Sequence, residues 1–161
     1  MSEEFAIAQD IDYAKQILAH NQNLVNFADA KAGVLLAVDG GILVILASSP
    51  AAIHPGLEQL LLGAALLLIG ISALFGFLTI RPRMFRSDAP TKLFFRAILA
   101  QTREEYMKSF SSTPKQVLDD YLNNIYTLAL IQKKKFFYLE ESLYTLLLGL
   151  VPIIAIIITV H

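Results

Sequence analysis

Gln59 to Ile80 is a run of 22 residues without a charge, and Ser142 to Val160 is another of 19. At about 1.5 Å of rise per residue each is long enough to cross the roughly 30 Å hydrocarbon core of a bilayer as a helix. The chain as a whole is 55% hydrophobic and only 17% charged, too apolar for an ordinary soluble domain. A soluble helical protein with buried core helices is the competing reading. Two uncharged stretches of this length argue against it, and an all-α, multi-pass membrane protein is expected.

A third span is predicted over Ala32 to Ser49, eighteen residues in which Asp39 is the one ionisable side chain. A carboxylate deep in a bilayer costs on the order of 2.5–3.5 kcal/mol on insertion scales, so Asp39 should face protein or water rather than lipid. This span has no polar break before it. Ile7, Ile11, Ala14, Leu18, Val25 and Ala28 recur at helical spacing through residues 4 to 30, and no Pro or Gly intervenes before Gly33. One continuous helix, half stalk and half span, follows.

The N-terminus, MSEEFAIAQD, is acidic and lacks the basic region and short apolar core of a secretory signal, so a cytoplasmic start is expected. All thirteen Lys and Arg residues lie between Lys15 and Lys135, with none in the loop 50–56 and none after Ser142. The positive-inside rule then puts the N-terminus and residues 81–141 in the cytoplasm and the C-terminus outside a plasma (inner) membrane. There is no cysteine, which excludes disulfides and thiolate chemistry. A net charge of −1 gives no reason to expect a nucleic-acid polymer as partner.

The expected organisation is a stalk helix at 1–31, spans at 32–49, 57–80 and 142–160, an outer loop at 50–56 and a cytoplasmic helical segment at 81–141. Pro82 ends the second span, and three arginines, Arg81, Arg83 and Arg86, follow at the interface. SDAPTKLFFRAIL offers a short apolar element. Two helix starts carry capping boxes, Thr102 with Glu105 and Thr113 with Gln116, the second with Pro114 at the first helical position. From Pro114 the helical pattern runs without interruption into the third span, so two of the three spans continue into long stalks. Glycines in the first and second spans, Gly33, Gly40, Gly41, Gly63, Gly70 and Gly76, permit close helix approach, within the chain or between subunits.

Little here points to catalysis. His20, His54 and His161 are scattered, and no HExxH, GxSxG or phosphate-binding glycine loop is present. No catalytic residue, metal site or cofactor is expected. Lys31, Arg81, Arg83 and Lys135 form a set of juxtamembrane cations suited either to an anionic ligand such as a nucleotide phosphate or to lipid headgroups. Asp29 is placed to pair with one of Arg81, Arg83 or the Lys133–Lys135 triplet as a latch, or simply to anchor the helix at the interface.

An ordered set of positions carries a family resemblance. It runs through Phe27, Ala28, Asp29, Lys31 and Ala32 of FADAKA, then Leu35, Leu36 and Gly40. Pro82 and Arg83 follow, with Leu93, Phe94 and Phe95, then Glu104, Glu105 and Tyr106, and finally Ile125, Tyr126, Leu128, Ala129, Ile131 and Lys135. From about Asn21 onward the chain resembles the Pycsar transmembrane effector family. It departs from that pattern at Asp39, where the family has Asn, at Asn124, where it has Gln, and at Arg96, where it has Gly.

The resemblance implies an anti-phage effector of the bacterial inner membrane. It implies activation by a cyclic pyrimidine mononucleotide, cCMP or cUMP, made by a partner cyclase, with loss of membrane integrity as the outcome. Homo-oligomers with Asp39 facing a hydrated path, in contact with membrane lipids, would be one physical route. The alternative is a non-enzymatic membrane scaffold or interaction protein with no conducting role, in which Asp39 hydrogen-bonds within the helix packing, for example to Ser72.

Overall fold

A computed structural model of the chain describes residues 3–48, 56–81, 102–109 and 113–160. Four helices occupy them: α1 (Glu3–Ser48), α2 (Leu57–Ile80), α3 (Arg103–Ser109) and α4 (Pro114–Val160), with no strand among the described residues. α1 and α4, at 46 and 47 residues, are each more than twice the roughly 20 residues a bilayer requires. Both run unbroken, α1 through Lys31 and α4 through Lys133, Lys134 and Lys135. Most of the outer loop, together with Arg83, Arg86 and the SDAPTKLFFRAIL element, lies outside the described residues.

The helix ends follow local chemistry. At the start of α3 the Thr102 N–H donates to Glu105 Oε2 at 2.8 Å and the Glu105 N–H donates to Thr102 Oγ1 at 3.3 Å. That backbone bond, with a second from the Thr102 hydroxyl, holds the Glu105 carboxyl below its ordinary range. At α4 the same exchange joins Thr113 and Gln116, at 3.1 and 3.4 Å. Gly56, just before α2, has φ +149°, a backbone conformation that side chains rarely adopt.

The chain divides into two compact units. One comprises Met1–Val25 and Arg83–Lys133. In it the first half of α1 buries Ala14, the first half of α4 buries Ile131, and Gln132 Nε2 donates to the Asn21 carbonyl at 2.7 Å.

The other unit comprises Asn26–Pro82 and Lys134–His161. It packs the apolar halves of α1 and α4 against α2, with a core of Ala28, Ala32, Ala65, Ile69 and Leu146. Two glycines set the closest approaches. A Cβ at Gly76 would meet Leu36 Cγ at 3.1 Å and Ser142 Oγ at 3.5 Å, and one at Gly149 would meet Ile69 Cδ1 at 2.6 Å. Gly33, Gly40, Gly41, Gly63 and Gly70 have nothing within 4 Å of that position, so they do not serve the packing of this unit.

All three apolar helices turn large side chains outward, with Ile45 70%, Leu60 73% and Ile158 71% exposed. Such a surface is at home in hydrocarbon rather than in water. The three helices are long and apolar enough to cross a membrane.

Candidate functional site

The buried stripe of α1 reads Ala28, Ala32, Asp39, every member fully buried. Its small residues let α2 and α4 come close, and the carboxyl is carried in with them. On α2 the corresponding stripe is Ala65, Ile69, Ser72, Gly76 and Thr79. On α4 Lys135, Ser142 and Gly149 recur every seventh residue and are all buried. Where these stripes meet, Asp39, Ser72 and Ser142 form one polar layer.

The layer is dense in oxygen. Ser72 Oγ lies 2.9 Å from Asp39 Oδ2 and 2.9 Å from the Ser142 carbonyl oxygen. Ser142 Oγ donates to the Ser72 carbonyl at 3.0 Å and stands 3.3 Å from Ser72 Oγ. Each serine thus reaches the backbone of the opposite helix. The Thr145 hydroxyl adds a contact to the Ser142 carbonyl at 3.1 Å. Asp39 Oδ1 is buried with no hydrogen-bond partner among the described residues.

Asp39 lies eight residues from Lys31, Ser72 nine from Arg81 and Ser142 seven from Lys135. At 1.5 Å per residue the layer is therefore roughly 10–14 Å from the basic ends of the three helices, less than half of a 30 Å core. In this packing Asp39 faces neither lipid nor an open path. Its Oδ2 is hydrogen-bonded to Ser72, the arrangement named above under the scaffold alternative.

A second polar contact lies toward the basic end. Lys135 Nζ is hydrogen-bonded to Asp29 Oδ1, with the lysine side chain 5% and the aspartate side chain 35% exposed. Of the lysine triplet, Lys135 is thus the member that turns inward, and its charge is committed to Asp29. Lys31 points the other way, exposed, with its ammonium 4.3 Å from the Phe27 ring centroid. It borders a groove of about 600 Å³ lined also by Val34, Leu139, Glu140 and Leu143. Arg81 is exposed just past α2, and Arg83 lies outside the described residues. The four expected ligand cations therefore divide. Lys31 and Arg81 are accessible, while Lys135 is occupied within the protein.

Among the described residues no group of three or more His, Cys, Asp or Glu is arranged to hold a metal ion. Composition does not distinguish Ser142 from the other small residues of the span, and its seven-residue spacing from Lys135 and Gly149 is the one signal for it in the sequence. A family model described as the Pycsar effector protein domain matches residues 13–161. No curated protein matches the chain, and no solved structure does.

Proposed function

This chain belongs to the Pycsar effector family, an anti-phage defence family, and from that premise we propose that it is a ligand-gated, non-enzymatic effector of the bacterial inner membrane. A cyclic pyrimidine mononucleotide, cCMP or cUMP, supplied by a partner cyclase, is the activating ligand, and loss of membrane integrity is the output. The observation that carries this reading is the continuity of α1 and α4 from their polar halves into the apolar ones. In this scheme each unbroken helix is the element by which a displacement at its polar end reaches the membrane.

Two contacts hold the resting state in this scheme. The Asp29–Lys135 pair is the latch, and the Asp39–Ser72–Ser142 layer is the lock beyond it. Ligand releases them only by binding the released arrangement more tightly than the resting one. A swing from 1:99 to 99:1 needs about 10⁴-fold differential affinity, or roughly 5.5 kcal/mol. Lys31, Arg81 and Arg83 remain as the cations for a nucleotide phosphate or for lipid headgroups. Homo-oligomers assemble along the outward face of α1, where Ala30, Gly33, Ala37 and Gly40 leave a shallow, exposed surface of small residues. The basic residues set the orientation, N-terminus in the cytoplasm and C-terminus outside.

The enclosure of Asp39 favours one other reading, a non-conducting membrane scaffold in which the carboxyl serves helix packing alone. Dye release from vesicles containing purified protein separates the two. Release that rises with cCMP or cUMP and not with cyclic AMP supports the gated effector. Release that is absent, or indifferent to every cyclic nucleotide, leaves the scaffold.

A further inference from the structure

The hydroxyl protons in the buried layer can be counted. Ser142 spends its one proton on the Ser72 carbonyl at 3.0 Å. Ser72 also has one, yet its Oγ lies 2.9 Å from two oxygens, Asp39 Oδ2 and the Ser142 carbonyl. A carbonyl oxygen cannot donate, and neither can an ionised carboxylate. With Asp39 ionised, the one Ser72 proton must either be shared between these two contacts or leave one of them as an approach of lone pairs, and either is weaker than two full hydrogen bonds. With a proton on Asp39 Oδ2, each of the 2.9 and 3.0 Å contacts holds a hydrogen: Asp39 donates to Ser72 Oγ, Ser72 to the Ser142 carbonyl, and Ser142 to the Ser72 carbonyl, and only the longer 3.3 Å approach of the two hydroxyl oxygens has none.

Charge points the same way. α1 has no Lys or Arg after Lys31, α2 has none between Leu57 and Ile80, and α4 has none after Lys135. The carboxyl is fully buried, and its Oδ1 has no partner among the described residues. An ionised Asp39 is then an unpaired charge in an apolar interior, the costliest of the available arrangements. A neutral acid leaves only a carbonyl oxygen without a partner, a far smaller penalty.

We propose that Asp39, Ser72 and Ser142 form an intramembrane proton-binding site, in which Asp39 holds one proton on Oδ2 and donates it to Ser72 Oγ. The ligand is a proton rather than a sodium ion. Ser72 Oγ sits at hydrogen-bond distance from Asp39 Oδ2, and the three helices close around the layer. This claim concerns the resting packing and does not depend on how the effector is activated.

Infrared spectroscopy on the full chain in lipid vesicles at neutral pH tests it. The expected result is a carboxylic-acid carbonyl band that is missing from Asp39→Asn and moves to higher frequency in Ser72→Ala, where the acid loses its acceptor. Asn can donate to Ser72 from the same position, so Asp39→Asn should unfold in detergent with an equilibrium constant within about threefold of the parent. Carboxylate bands lost in Asp39→Asn, with no acid band in the parent, overturn the proposal. So does a melting temperature that rises when choline chloride is replaced by sodium chloride in the parent but not in Asp39→Asn, since sodium is then the occupant. If Asp39→Asn fails to fold, the acid band of the parent and its shift in Ser72→Ala still decide the matter.

Discussion

Substituting Gly149 by Ala tests the packing of α2 against α4 at its tightest point. The added Cβ would lie 2.6 Å from Ile69 Cδ1, 3.1 Å from Ile69 Cγ1 and 3.3 Å from Leu68 Cβ. Carbon atoms rest at about 3.5–4.0 Å, so the first contact is short by roughly 1 Å. Ile69 is fully buried, so its side chain can yield only by repacking against its neighbours. Overpacking of this kind costs about 1–3 kcal/mol, against which Ala recovers up to about 1 kcal/mol of helix propensity. Net destabilisation of about 0–3 kcal/mol is ambiguous alone, but coupling to Ile69→Val removes the ambiguity. That change deletes the offending Cδ1 and by itself costs about 0.5–1.5 kcal/mol. Propensity is common to both Gly149→Ala backgrounds and cancels in the cycle. Denaturant titration in detergent, followed by circular dichroism, should show the double variant more stable than the sum of the singles by about 1 kcal/mol or more. Gly70→Ala, with nothing within 4 Å, is the matched control and should be neutral or stabilising. Additivity of Gly149→Ala and Ile69→Val within about 0.5 kcal/mol would refute the contact.

Three further outcomes are expected. Asp29→Lys and Lys135→Asp should each raise dye release from vesicles without ligand, and the double swap should bring it back toward the parent level; a double variant as leaky as the singles would remove the latch. Gly40→Leu, at an exposed position where an added Cβ has nothing within 4 Å, should leave thermal stability within about 0.5 kcal/mol of the parent while abolishing the larger species in cross-linking; unchanged cross-linking would move the subunit interface elsewhere. Because the Glu105 carboxyl is held below its ordinary range, its contribution to the start of α3 is fully present above the unfolded-chain value and is lost as pH falls through the folded one. Amide exchange at Glu104–Tyr106, corrected for intrinsic rates, should therefore accelerate on acidification in the parent and stay flat in Glu105→Gln, which keeps the capping box without a titrating group.

The sequence makes the spans legible because hydrocarbon thickness sets a length, and a count of uncharged residues reads that length directly. The capping boxes at Thr102 and Thr113 are legible for a similar reason, since a three-residue offset fixes which atoms can meet. Which face of each span turns inward is much harder to read. In a soluble helix the buried stripe stands out against a polar background, but between Gln59 and Ile80 both the packed and the lipid-facing sides are apolar and the periodic signal vanishes. Gly76 and Gly149, which sit in tight contacts, are thus indistinguishable by composition from Gly63 and Gly70, which do not. The depth of Asp39 is affected likewise. Position within an apolar run suggests the centre of the bilayer, whereas the spacings to Lys31, Arg81 and Lys135 put it nearer the basic end. Among Lys133, Lys134 and Lys135 only the helical phase, fixed by Ser142 and Gly149 further along α4, selects the residue that meets Asp29.

Ser72 and Ser142 are stitched to each other's main chains, hydroxyl to carbonyl in both directions, and that reciprocity sets how α2 and α4 can move. A slip of one residue along the seam is about 1.5 Å, enough to carry both hydroxyls out of hydrogen-bond reach of their carbonyls together. The seam therefore behaves as a detent: small pushes are absorbed without displacement, and only a push past a threshold carries the helices to a new register.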